Sequence, residues 1–179
     1  HHSIEEDYEG NFWVPTTHIN LDYGNLNDDT ITKVSPQGRV LFQKSLSELF
    51  IENNLEYLLF STGGEIFFEL DPLHLNDIEP VLKDGKYWKK GDIFLSLRNQ
   101  SMVILYRPST NEIIWTGTGY TFQQHDIGIL DDHRISIFNN NSKRFDGEYQ
   151  VDGNSEVVIY DFEINQYSKY LNNFLIEND

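Results

Sequence analysis

The sequence predicts an all-β protein: about three four-stranded blades of a larger β-propeller, with a short helical insertion near residues 45–60. Three observations predict it. Short apolar runs rich in β-branched and aromatic residues recur along the chain, bounded by Gly, Asn and Asp. Turn signals interrupt them about every ten residues, the spacing of a sandwich, barrel or propeller. The pattern also repeats, and single histidines, His2, His74 and His125, head the innermost strands of successive repeats.

The first repeat opens on His2-Ser3-Ile4, passes an acidic turn through Asp7 and Gly10-Asn11, and continues as Phe12-Trp13-Val14. Asp29 to Val34 and Gly38 to Phe42 then read as a strand pair around the turn Ser35-Pro36-Gln37-Gly38. From Ser45 to Phe60 the spacing changes. Leu46, Leu49 and Phe50, then Leu55, Leu58 and Leu59, suit short helical turns broken near Asn53-Asn54. A strand followed by a loop is the other reading of that stretch.

The second repeat runs from His74-Leu75-Asn76-Asp77-Ile78 through the strands at Ile93 to Arg98, Met102 to Tyr106 and Glu112 to Trp115. The third runs from His125-Asp126-Ile127 through Asp131-Asp132 to Ile135–Phe138 and Val157–Tyr160. Residues 1–179 therefore read as one partial propeller domain. Blade 1 covers about 1–45, the insertion about 45–70, blade 2 about 71–120 and blade 3 about 121–179. A propeller typically closes with four or more blades. The ring is expected to be completed by a remaining propeller segment or by another copy in a homo-oligomer.

Composition excludes several functions. Hydrophobic residues make up 39% and aromatics 14%, enough to build a core. The formal charge of −16 repels phosphate backbones and disfavours nucleic-acid binding. No apolar run approaches the roughly 20 residues of a membrane-spanning helix, so no membrane insertion is expected, and no segment reads as a signal peptide. The absence of cysteine removes thiol catalysis and cysteine-ligated zinc.

In a propeller, residues at the heads of the inner strands converge at one mouth of the central channel. His2, His74 and His125 are therefore candidates for one shared site. Arg98, at the end of a strand, is a permanent cation suited to holding an oxyanion with two parallel hydrogen bonds. The blander readings are satisfied core histidines and an ordinary surface arginine. A three-histidine metal site is a further reading; a neighbouring arginine argues against it, and no metal or cofactor is expected. Asp28-Asp29 and Asp131-Asp132 read as hairpin turns, with a calcium site as the functional alternative.

Three short motifs occur in order: His74 with Asn76, Ser96-Leu97-Arg98, and Gln124-His125 with Phe138-Asn139-Asn140. Together with residues 1–15, the segment 71–141 resembles the bacterial arylsulfotransferases that do not use 3′-phosphoadenosine phosphosulfate. The resemblance implies a six-bladed propeller with a funnel-shaped central site, in the periplasm or outside the cell. It implies transfer of a sulfuryl group from a phenolic ester to a phenol through a sulfohistidine, with an aryl sulfate and a phenol as the small-molecule partners. By the same resemblance His125 is the sulfated residue, His74, Asn76 and Arg98 hold the sulfuryl oxygens, and His2 is the remaining channel histidine, with His1 beside it. Asn139 and Tyr120 are candidate substrate contacts, and Trp88, Tyr120 and Phe122 are rings that could stack on a phenol. A ligand- or glycan-binding propeller without turnover and a metal-dependent hydrolase using the histidines are the alternative functions.

Overall fold

The computed structural model of the chain describes residues 3–60, 71–145 and 148–170. It is all-β, with three four-stranded antiparallel sheets whose strands follow one another in chain order. The first holds β1 (Glu5–Glu6), β2 (Phe12–Asn20), β3 (Leu26–Val34) and β4 (Val40–Ser45). Two short helices follow, α1 (Leu46–Glu52) and α2 (Tyr57–Phe60), in the stretch where the apolar spacing becomes helical. Ser45 caps α1 by accepting from the Glu48 amide, and Asn54, with a positive φ of 60°, breaks the run. The second sheet holds β5 (Leu75–Pro80), β6 (Ile93–Leu97), β7 (Met102–Arg107) and β8 (Glu112–Thr118). The third opens with β9 (Ile127–Ile129) and β10 (Arg134–Asn139). A hairpin of β11 (Ser142–Phe145) and β12 (Glu148–Val151) then leaves the sheet, which resumes with β13 (Glu156–Asp161) and β14 (Gln166–Tyr170).

The sheets stack face to face through two cores. Alternation along the middle sheet divides its side chains between them. Ile93, Leu95 and Leu97 of β6, with Met102, Ile104 and Tyr106 of β7, pack toward the first sheet and α1. Phe94, Val103 and Leu105 pack toward Ile127, Ile135 and Ile137 of the third. A strand covered on both faces needs no polar side, which is why β6 reads as a continuous apolar run. Trp88 belongs to the second core, edge-on to Phe94 at 5.4 Å and to Phe162 at 5.3 Å. It therefore packs between sheets and is buried away from any ligand.

The first strands of the sheets, β1, β5 and β9, lie side by side. Buried carboxylates stitch them. Asp29 Oδ2 accepts the Leu75 amide at 2.6 Å, and Asp77 Oδ2 accepts the Ile127 amide at 3.0 Å. Asp28 and Asp29 thus depart from the expected hairpin turn: both lie inside β3 and are buried. Asp28 takes the Ser45 hydroxyl at 2.7 Å and the Ser47 amide at 3.1 Å, tying α1 to the first sheet. An acidic doublet reads as a turn locally, but these carboxylates are satisfied by distant amides and hydroxyls.

Gln124 is a third stitch, fully buried. Its Nε2 donates to the Met102 carbonyl at 2.9 Å and the Leu97 carbonyl at 3.1 Å, and its Oε1 accepts from Thr121 at 3.1 Å. It joins the β6–β7 turn to the head of the third sheet. Gln124→Leu is expected to destabilise the protein by about 2–4 kcal/mol, because it strands buried carbonyls without donors. Urea unfolding would measure the loss. Among the described residues, no helix is long and apolar enough to cross a membrane.

Candidate active site

His74 and His125 each stand just ahead of the first strand of a sheet. Ahead of β5, the chain turns through Asp71-Pro72-Leu73 and enters the strand with His74 at a positive φ of 56°. The β6–β7 turn supports this approach: the Asn99 amide donates to the Leu73 carbonyl at 3.1 Å, and Gln100 Nε2 to the Pro72 carbonyl at 2.9 Å. The His74 carbonyl accepts the Arg98 amide at 3.0 Å, so the histidine and the arginine are cross-strand neighbours. The His74 Nδ1 bonds the Asp71 carboxylate, which fixes the ring and turns Nε2 the other way.

Arg98 is half-buried and held by two amide oxygens, Asn99 Oδ1 and Gln123 Oε1, each at 3.0 Å. Neither partner carries charge, so the guanidinium is oriented without being neutralised. Asn76 is the extra residue of a bulge in β5 opposite β6. It is buried, its Nδ2 donates to the Gln124 carbonyl at 3.2 Å, and its Oδ1 meets no hydrogen-bond partner among the described residues.

At the third sheet, backbone bonds between His125, Asp126 and Phe138 extend the β9–β10 ladder up to the histidine. His125 Nδ1 lies 2.9 Å from Nδ2 of the Asn140 carboxamide. Asn139 is buried with both ends of its carboxamide engaged: Oδ1 accepts the Phe122 and Asn141 amides, and Nδ2 donates to Glu156. It builds the loop that carries Asn140.

The described residues thus bring together His74, Arg98, Asn76 and His125 through the Gln123-Gln124 segment. His2 lies outside the described residues. Tyr120 is placed elsewhere. It is exposed and stacks on Tyr167 at 4.0 Å, next to the outermost strands β8 and β14, far along each sheet from the strand heads. The ring that does reach the cluster is Tyr149 of β12, 5.3 Å from the Arg98 guanidinium. Phe122 stands beside the same loop with Lys143 Nζ 4.8 Å from its ring centre.

Carboxylates lie along the same inner strands. Glu79 of β5 is pushed up to about 8 by burial and by the neighbouring charges of Asp77, Glu5 and Asp126. Asp77 is raised to about 6, again by burial first. The side chains close enough together to share a cation are Asp131, Asp132 and His133, among the described residues. They sit at the β9–β10 turn, already paired: His133 Nδ1 with Asp132 at 2.7 Å, and Arg134 with Asp131 at 2.6 Å. A cleft of about 370 Å³ lined by Tyr8, Trp13 and Lys33 opens at the other end of the first two sheets and contains none of the candidates.

The sequence profile of Arylsulfotransferase (ASST) matches residues 1–179, the whole chain. The chain belongs to the arylsulfotransferase family. Among solved structures, this arylsulfotransferase-family chain is similar to a crystal structure of a protein of unknown function from Bacteroides caccae. The two share 15% identity at a TM-score of 0.51, over 92% of this chain and 43% of that one. That likeness concerns the fold, and the chain spans less than half of the matched structure. No curated protein matches this arylsulfotransferase-family sequence.

Three of the partners around the candidate residues carry little signal in the sequence, Asp71, Gln123 and Tyr149, whereas Asn140 stands in the third motif. Asp71, three residues before His74 and followed by proline, is the most legible of them. Tyr149 is the least, because its hairpin reads like any other pair of strands in the chain.

Proposed function

We propose that the chain forms part of a six-bladed propeller that transfers a sulfuryl group from a phenolic sulfate ester to a phenol through His125. The observation that carries this reading is Arg98, an oriented guanidinium whose hydrogen-bond partners among the described residues are neutral oxygens, beside His74 and across the Gln123-Gln124 segment from His125. In a chain of charge −16, such a cation is an oxyanion holder in waiting. A periplasmic or extracellular location belongs to the same reading.

In the first half-reaction, the lone pair of His125 Nε2 forms a bond to sulfur while the ester S–O bond breaks. The phenoxide leaves with that electron pair and takes up a proton. For Nε2 to attack, Nδ1 must carry the ring proton; Asn140 presents its Nδ2 to Nδ1 at 2.9 Å, so the carboxamide has to turn over and accept that proton with its oxygen when Nε2 attacks. Arg98 binds the sulfuryl oxygens as charge spreads over them, and Asn76 adds the second hydrogen of Nδ2, whose first is on the Gln124 carbonyl. His74, anchored through Nδ1 by Asp71, faces the sulfuryl or phenoxide oxygen with Nε2. In the second half-reaction the acceptor phenol oxygen bonds sulfur, the N–S bond breaks, and the phenol proton is lost.

Mass spectrometry of the protein mixed with 4-nitrophenyl sulfate in the absence of a phenol tests this. An adduct of one SO₃ on the peptide containing His125, discharged by adding a phenol, is the expected result. Saturable binding of the ester with no adduct and no nitrophenol release would instead identify a propeller that binds without turnover.

A further inference from the structure

Most cations of the protein are already paired. Lys33 meets Asp7, Lys44 meets Glu52, Arg107 meets Asp92 and Lys169 meets Glu156, all within 2.7 Å. Arg98 and Arg144 are among the six of thirteen lysines and arginines with no carboxylate within ion-pair distance among the described residues, and these two share a partner. Both are gathered on one aromatic ring. Tyr149 lies 5.3 Å from the Arg98 guanidinium carbon and 5.7 Å from that of Arg144. Arg144 and Tyr149 face each other across the β11–β12 ladder, so the hairpin itself fixes one of the two contacts. Arg98 comes from the second sheet and completes the array from below the hairpin.

Two like charges on one ring, in a strongly acidic protein that offers carboxylates elsewhere, form a site that gains from anions. A single sulfuryl group on Arg98 leaves the Arg144 charge unanswered. We propose that Arg144 and Tyr149 form a second anion subsite beside Arg98, which selects aryl sulfates carrying another negative group on the ring. The assignment of the Arg98 end to the sulfuryl group rests on the function proposed above; the existence of the paired anion site does not. Tyr149 acts as the spacer between the guanidiniums, and the substrate ring bridges them, with its ester oxygens on Arg98 and its second anion on Arg144.

Equilibrium binding of two non-transferable sulfonates to the full protein tests the subsite. Wild type should bind 4-sulfobenzoate at least about tenfold more tightly than benzenesulfonate, the gain of one charge-assisted pair. In Arg144→Gln that ratio should fall to near one, and in Arg144→Lys it should fall only in part. Arg144 is exposed, so both variants are expected to fold; Tyr149→Leu, which removes the spacer, should also lower the ratio. Equal binding of the two sulfonates by wild type, or an unchanged ratio in Arg144→Gln, would overturn the proposal. A parallel transfer assay with 4-nitrophenyl sulfate separates the two readings. Turnover without the sulfonate preference removes the subsite alone, and the preference without turnover removes sulfuryl transfer alone.

Discussion

His125→Asn should lower kcat/KM for sulfuryl transfer from 4-nitrophenyl sulfate by roughly 10⁴-fold or more, because in the mechanism proposed above it removes the nucleophile itself. The fold should survive. His125 is joined to Phe138 through its backbone amide, a bond that any residue at this position makes. Its side chain meets Asn140 on a half-buried loop and is not among the buried residues of either core. The variant should therefore keep its thermal midpoint and its affinity for a non-transferable sulfonate, while the covalent adduct disappears. If His125→Asn and wild type release nitrophenol at the same rate, the nucleophile is elsewhere and the proposed mechanism is wrong.

The second large effect is on stability. Glu79 is raised from 4.5 to about 8, chiefly by burial and then by the charges of Asp77, Glu5 and Asp126. The folded state therefore holds this proton more tightly than the unfolded chain. The stabilisation is complete below about pH 4.5 and is lost as pH rises through 8. Over that window the loss from this one group is on the order of 2–4 kcal/mol. Glu79→Gln keeps the shape and cannot ionise. It should match wild type at pH 5 and exceed it by about 2 kcal/mol at pH 9. Urea unfolding at the two values checks this, and a wild-type stability that stays flat from pH 5 to 9 would contradict it.

The sheets were largely legible in the sequence because alternation is a local property. Ile93–Leu97 and Met102–Arg107 form strands where β-branched and aromatic residues cluster, and the turns at Gly38 and Asn111 fall where glycine and asparagine permit a positive φ. The helical break at Asn53-Asn54 was equally readable. What escaped depends on contacts between distant segments. Asp28 and Asp29 look like turn residues until Ser47 and Leu75 supply the amides that justify burying them. Tyr120 looks like a channel aromatic by its place before Gln124-His125, yet the ring swings to Tyr167 at the outer strands. Pro15 could have argued against a long β2. It is accommodated because β1 pairs only with Phe12 and Trp13, so the missing N–H falls beyond the reach of that neighbour.

The hairpin between β10 and β13 leaves the main sheet without disturbing it. The two strands pair without interruption from Arg134 opposite Asp161 to Asn139 opposite Glu156. A segment attached this way is free to vary in length and side chains at little cost to the scaffold, so, on the function proposed above, it is where substrate preference can drift during evolution. It is also the natural place to graft a different loop when a new acceptor is wanted.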